Sequence, residues 1–408
     1  MKTQSARSSG IRRAVVKLGT GIVIGDDGHL ARERLQTLMK QCAQLMREGV
    51  QTIIVSSGAV GLGVQALGLS RPASGKRPLV DKQAAAAVGQ SALMDAYRQI
   101  FEQEGFLIAQ ILVTEGNFAD RQQYLNLHGT LERLLELGVV PILNENDTVA
   151  TAELEEDTQS KGFGDNDKLS ALVASRLEAD VLVMLTNVAG VYTDNPSENP
   201  AAELIPVIHT IEELGAIRTR GLSSQGRGGM ASKLEAARMA ALSGVNAIIA
   251  NGLRPDVIEA ALLYDWNAAD PDATPPGTLT LAQSSLSGKK RWIGLASGYN
   301  GVLILNERAA QALRDDGASL LAIGVEEARG DFTRGQVVSV KDRAGHELGR
   351  GVCQYDADDV RRILGRKRQD IVQILGQTAP AKAEILIHRD NLVIFQAFPE
   401  TSGPQAGL

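Results

Sequence analysis

The sequence predicts an α/β fold, a mostly parallel sheet with helices on both faces, followed by a small mainly β domain. Three observations predict it. Short apolar runs recur through the first two thirds of the 408 residues without alternating apolar and polar positions, as in strands covered on both faces. Between them lie longer segments whose apolar residues recur at three- and four-residue steps, and strands alternating with helices build a parallel sheet. Beyond about residue 300 the texture changes to short strands broken by glycine turns, which reads as mainly β.

The elements follow in order. RRAVVKL (12–18) is a short buried strand ending on Lys17. Residues 31–49 form an amphipathic helix with Leu35, Leu38, Met39, Cys42, Leu45 and Met46 on one face. TIIVSSGAVG, from Thr52, is a strand running into a small-residue turn. A helix spans about Val80 to Glu104, LIAQILV (107–113) is a strand, and Arg121 to Glu136 is helical. VVPILNEND (139–147) is a strand and a polar turn. GFGDNDKLSA (162–171) opens a helix whose apolar face is Leu169, Leu172, Val173 and Leu177. Asp180 to Leu185 is a strand ending in Thr186 and Asn187, Ser232 to Leu242 is a helix, and VNAIIANG (245–252) is a strand. AADPDATPPGT and SSLSGKKRW then mark a boundary. The expected division is a disordered tail over 1–11, an α/β domain over 12–280, a linker over 281–300 and a small β domain over 301–400 with one short helix near Asp356 to Leu364.

Composition narrows the function. Hydrophobic residues make up 44% and the net charge is −6, which suits a soluble globular protein and disfavours a general nucleic-acid or membrane binder. No apolar run approaches the ~18 residues of a transmembrane helix. The start, MKTQSARSSG, lacks an apolar signal segment, so the chain is expected to be cytoplasmic. Two distant cysteines and five scattered histidines give no metal-ligand spacing and no Cys-His pair. No protein-held metal is expected.

Polar residues collect where strands end. In parallel sheets that edge binds the ligand, and Lys17, Ser57, Asp147 and Thr186 all fall there. KLGTG (17–21) reads either as a phosphate-binding turn or as a plain strand-to-loop turn with a solvent-tipped lysine. It is not a Walker A loop, since no GxxxxGK[ST] occurs, nor a dinucleotide fingerprint, since position 24 is Ile24. In SSGAVGLG (56–63), Ser57 and the Gly58 amide either hold a carboxylate or only permit tight packing. GLSSQGRGGMASK (221–233) is a flexible loop or an anion cradle; Lys233 in a first helical turn favours the cradle, since a cation there needs an anion nearby. Asp165, Asn166 and Asp167 exceed what one helix cap needs. Lysines, glycine turns and carboxylates around one edge fit phosphoryl transfer, which needs positioning and positive charge more than covalent help.

VVKLGTG, IVSSGAVG, PILNENDTVAT, GDNDKLSA, LTNVAGVYTDNP and GRGGMASK, in this order and spacing, resemble the amino acid kinase family over roughly residues 12–280. NEND with GDND resembles the members that phosphorylate glutamate. The tail around SLLAIGVEEARGDFTRGQVVSVKDRAGHELGRGVCQYDADDVRRILG resembles the PUA domain that many of those members append. The resemblance implies ATP-dependent phosphorylation of the glutamate side-chain carboxylate, as in the first step of proline biosynthesis. It implies that Lys17 and Lys233 contact the phosphates and the transferring group while Asp167 organises both lysines. It implies glutamate binding by Ser57, Asp147 and Asn166, and helix capping by Asp165. Nucleotide binding is implied for Lys17, Thr186, Asn187, Arg227, Gly228, Gly229, Met230, Ala231, Ser232 and Lys233. Mg²⁺ is implied on the phosphates, with few or no protein ligands. A homodimer or homotetramer, inhibition by proline and a functional link to glutamyl phosphate reductase are also implied.

Three features depart from the family pattern. Asn187 stands where relatives often have Asp, Arg227 replaces a small hydroxyl residue, and ELEEDTQSKGF (153–163) is longer than the expected turn, a flap beside the substrate. Two rival readings are a kinase for another acidic or N-acylated amino acid, and an RNA-binding protein acting through its tail. The second has little support, because residues 301–408 hold 14 Lys/Arg against 15 Asp/Glu.

Overall fold

The structure is a computed structural model. It describes residues 10–70, 77–149, 166–196, 198–219, 229–266, 274–283, 293, 299–315, 317–376 and 382–394. The expected tail, except residues 10 and 11, lies outside them, as do Asp165 and the expected flap at 153–163. The chain divides into two compact units, Met1–Ser285 and Leu286–Leu408.

The first unit is built on an eight-stranded sheet in the order β3-β4-β2-β1-β5-β7-β8-β6. Its strands are β1 (Arg13–Leu18), β2 (Gln51–Ser56), β3 (Ile108–Val113), β4 (Val140–Glu145), β5 (Val181–Thr186), β6 (Val207–Ile208), β7 (Asn246–Asn251) and β8 (Gly277–Thr280). Every pairing is parallel except β7 with β8. LIAQILV forms β3 at the sheet edge, so this apolar run is not fully covered, and Leu107 and Leu112 are exposed.

The helices are α1 (Thr20–Val23), α2 (Arg32–Arg47), α3 (Ala59–Ala66), α4 (Leu79–Gln103), α5 (Glu115–Ala119), α6 (Arg121–Glu136), α7 (Asn166–Arg176), α8 (Ile211–Thr219), α9 (Met230–Leu242) and α10 (Val257–Leu263). Strand alternation sorts β1 between two faces. Ala14, Val16 and Leu18 join one core with Leu35, Met39 and Cys42 of α2 and Leu93, Tyr97 and Phe101 of α4. The intervening Val15 and Lys17 are also buried, on the opposite face. There α7 packs on β1, β2, β4 and β5, and α9 packs on α7. Lys17 therefore points toward the helix that carries Asp167.

The segment after Ser57, expected as a turn, is the helix α3. Its glycines disfavour a helix taken alone, but Gly63, with Gly89 of α4, lets α3 lie directly on α4. A Cβ on Gly63 would come within 1.7 Å of the Ala85 carbonyl oxygen, and one on Gly89 within 1.8 Å of the Ala59 carbonyl oxygen. This contact fixes the register of α4 against the end of β2.

The second unit has a five-stranded sheet, β11-β9-β12-β13-β15, and a two-stranded pair, β10-β14. The strands are β9 (Gly301–Leu305), β10 (Leu320–Leu321), β11 (Val325–Gly330), β12 (Val337–Lys341), β13 (Glu347–Val352), β14 (Ile385–Ile387) and β15 (Leu392–Ile394). Among the described residues three α-helices occur where one was expected: Glu307–Asp315, Ala357–Ile363 and Arg368–Leu375. Leu313, Val360 and Ile371 from these helices complete the core over Leu303, Val338 and Val340. Among the described residues no helix is long and apolar enough to cross a membrane.

Candidate active site

At the carboxyl ends of the strands, Asp167 bridges two lysines that are 216 positions apart in the sequence (233 − 17). Its Oδ1 lies 2.5 Å from Lys17 Nζ and its Oδ2 3.1 Å from Lys233 Nζ. All three side chains are buried, Asp167 completely. Ser232 donates a further hydrogen bond from Oγ to Asp167 Oδ2 at 2.9 Å. The participants come from three elements: Lys17 from β1, Asp167 from the first turn of α7, and Ser232 and Lys233 from the first turn of α9. A carboxylate shared in this way holds two ammonium groups close together, which their repulsion would otherwise oppose. Both of its oxygens serve that purpose.

Asn166, one residue before Asp167, is 2% exposed and makes a second cluster. Its Nδ2 donates toward three acceptors, the Ser56 carbonyl oxygen at 3.2 Å, Ser57 Oγ at 3.0 Å and Asn144 Oδ1 at 2.9 Å. Its Oδ1 is buried without a hydrogen-bond partner, an acceptor left for a ligand. Because Ser57 Oγ already accepts from Asn166, the serine hydroxyl hydrogen is directed elsewhere. Gly58 adopts a φ of +106° at the head of α3, and a Cβ there would lie 2.9 Å from Val23. Glycine at this position lets the chain turn sharply enough to bring Ser57 to Asn166.

Asp147 lies two residues beyond β4 and is 7% exposed. It lines a cleft of about 260 Å³ together with Gln90, Ser91 and Gln110. Thr186 ends β5 next to β1, half-buried, with its hydroxyl 3.4 Å from Oδ1 of the exposed Asn187. Gly19 follows Lys17, and its amide donates to the Leu185 carbonyl oxygen at 3.2 Å. Arg34 of α2 donates to the carbonyl oxygens of Gly21 and Ile22 at 2.9 and 3.2 Å. The glycine turn is thereby anchored from behind. Gly229 precedes α9 with an extended backbone and is half-buried like Met230, while Ala231 is exposed. Arg227 and Gly228 lie outside the described residues.

The structure thus unites Lys17, Asp167 and Lys233 in one cluster and Ser57 with Asn166 in the next. Ser232, expected at the nucleotide, also donates to Asp167. Sequence reasoning missed two contributors. Asn144 of NEND and Gln90 of α4 extend the Asn166 cluster, Asn144 Nδ2 donating to Gln90 Oε1 at 2.9 Å. Asn144 carried a signal in its motif; Gln90, in the alanine-rich run KQAAAAVGQ, carried none.

The amino acid kinase family model matches residues 12–251 and the PUA domain model residues 301–375. A protein named glutamate 5-kinase from Dehalococcoides mccartyi (strain CBDB1) is 41% identical over 94% of this chain and 98% of its own length. Glutamate 5-kinases of Methylococcus capsulatus and Proteus mirabilis are 40% and 39% identical, over 94% and 93% of this chain and 98% of each relative.

Proposed function

The chain belongs to the amino acid kinase family, and from that premise we propose the following reaction at the site. The γ-phosphoryl group of ATP passes to the side-chain carboxylate of L-glutamate, giving L-glutamyl 5-phosphate and ADP, the first step of proline biosynthesis. The observation that carries this reading is the buried Lys17–Asp167–Lys233 bridge, set one residue from an amide with a free acceptor.

The nucleophile is a carboxylate with an ordinary pKa of about 4.3, so it is already ionised at neutral pH. No general base is needed, and Asp167, with both oxygens engaged by lysines and Ser232, is not placed to be one. Lys17 and Lys233 lie where negative charge on the transferring group is met by two cations held in advance, the kind of electrostatic preorganisation that lowers such barriers. Ser57, Asp147 and Asn166 bind glutamate. Asn166 Oδ1 accepts from a donor, and the donor on glutamate is its α-ammonium group. Thr186, Asn187 and the segment 227–233 bind the nucleotide.

Mg²⁺ fits the site as a phosphate-held ion, since Asp167 is committed to its lysines and no cluster of three metal-ligating side chains occurs among the described residues. When bound, it neutralises phosphate charge. The reading extends to a cytoplasmic homodimer or homotetramer that hands its labile acyl phosphate to glutamyl phosphate reductase.

Hydroxylamine trapping tests the reaction. Purified chain with MgATP, glutamate and hydroxylamine should accumulate the γ-glutamyl hydroxamate. Efficient trapping with aspartate or N-acetylglutamate but not with glutamate would overturn the substrate assignment.

A further inference from the structure

We propose that Gln90 is a positioning residue that, through Asn144, strengthens the orientation in which the Asn166 amide faces the substrate. The proposal rests on the reading of Asn166 as a glutamate-binding residue.

A carboxamide can be turned over at little steric cost, exchanging its oxygen for its NH₂. Here one group that cannot be turned over sets the direction. The Glu145 backbone N–H can only donate, and it donates to Asn144 Oδ1 at 2.9 Å. The Asn144 NH₂ must then point the other way, toward Gln90, whose oxygen accepts at 2.9 Å. With its oxygen already turned inward, Asn144 accepts from the Asn166 NH₂ at 2.9 Å. Asn166 Oδ1 is left at the far end, buried and without a partner. The Ser56 carbonyl oxygen, also an obligate acceptor, agrees with this direction at 3.2 Å.

Gln90 is the far anchor of the chain of amides. It is 8% exposed and follows Gly89, whose missing Cβ lets α4 sit on the Ala59 carbonyl oxygen. Its backbone position is therefore set by the α3–α4 contact, independently of the amides. With the Gln90 oxygen in place the present orientation satisfies every donor; without it the Asn144 NH₂ is left unpaired in that orientation, so its advantage over the turned-over one shrinks. In the turned-over orientation, the Asn144 NH₂ meets the Asn166 NH₂. Relief of that clash turns Asn166 over and presents a donor to the substrate's ammonium group.

Steady-state kinetics on the full chain tests this. Gln90→Met keeps the volume and removes the acceptor. It should raise the glutamate KM about tenfold, the equivalent of one hydrogen bond, with kcat and the ATP KM within about threefold of wild type. Gln90→Glu keeps an accepting oxygen and should hold the glutamate KM within about threefold. Gln90→Leu is read in the same way as Gln90→Met should the latter not fold. A merely structural role would lower the melting temperature and the active fraction and leave KM unmoved. An unchanged glutamate KM in Gln90→Met, or an equal rise in Gln90→Glu, overturns the proposal. Failure of the underlying reading is distinct: wild-type chain would give no hydroxamate from glutamate, or Asn166→Ala would leave its KM unchanged.

Discussion

Replacing Asp167 with Asn keeps the shape of the side chain and removes its charge. In the wild-type chain the carboxylate lies 2.5 Å from one ammonium group and 3.1 Å from the other, with no more than 5% of any of the three side chains exposed. The variant leaves two cations facing a neutral amide. At an effective dielectric constant of about 20, unit charges roughly 6 Å apart repel by about 3 kcal/mol. Removing one member of a buried ion pair costs about 3–5 kcal/mol in measured cases, a similar figure. Since 1 kcal/mol is worth roughly 2–4 °C in a unit of this size, ligand-free Asp167→Asn should melt on the order of 10 °C below wild type. The triphosphate supplies the counter-charge that the variant lacks. A saturating, non-hydrolysable MgATP analogue should therefore raise the melting temperature of the variant more than that of wild type. Turnover should fall by about 10²- to 10³-fold, because the lysines are no longer held on the transferring group. The pH profile of kcat should keep its shape, as Asp167 is not a base. Calorimetry with and without nucleotide, paired with an ADP-release assay, reads both effects. A melting deficit that is identical with and without nucleotide, or turnover within about threefold of wild type, would refute the reasoning.

The two clusters should separate kinetically. Lys233→Met should lower kcat by about 10²- to 10³-fold with little change in glutamate KM, whereas Asn166→Ala should raise glutamate KM far more than it lowers kcat; the reverse pattern in steady-state kinetics counts against the assigned roles. A chain ending at Ser285, the limit of the first compact unit, should fold and retain hydroxamate formation. A folded but inactive truncate would show that the second unit is needed for the chemistry. Burial pushes the Cys42 thiol up to about 12 and the Cys353 thiol up to about 11, from an ordinary 9.0. Neither should react with a disulfide reagent at pH 8 until the chain is denatured. The folded thiols hold protons that the unfolded chain releases above pH 9.0, so stability is lost as pH rises from there toward 12. Cys42→Ala should flatten that decline in melting temperature, and an unchanged slope would count against the linkage.

The sequence revealed most of what is local. The helix at Arg121–Glu136 matches its periodic pattern end to end, and the strands β1, β2, β4, β5 and β7 fall within a residue or two of their apolar runs. It failed where tertiary contact overrules propensity. AVGLGVQA carries two glycines and reads as a turn, yet becomes α3, where Gly63 admits the backbone of α4 and Gly61 the side chain of Ile24. Two short helices of the second unit, Glu307–Asp315 and Arg368–Leu375, carry too few turns to show a period, and only the core they cover gives them away. The edge position of β3 is likewise a property of strand order, which an apolar run cannot state.

The candidate site divides along the same line. Residues at strand ends and in helix first turns could be singled out because each has a local reason to be odd, such as a lysine where the helix dipole disfavours it. Their relations to one another have no local trace. Nothing in GRGGMASK says that Ser232 and Lys233 share one carboxylate with Lys17, and nothing in KQAAAAVGQ says that Gln90 meets Asn144. Those contacts exist because parallel strands bring their carboxyl ends to one edge while α4, α7 and α9 deliver side chains there from both faces of the sheet. A buried amide such as Gln90 looks, in sequence, like any polar residue on an alanine-rich helix. Its importance lies in hydrogen-bond direction, which passes from the Glu145 amide through two side chains to a single unpartnered oxygen. Direction of that kind belongs to the network as a whole, so it can be read only once the fold has closed it.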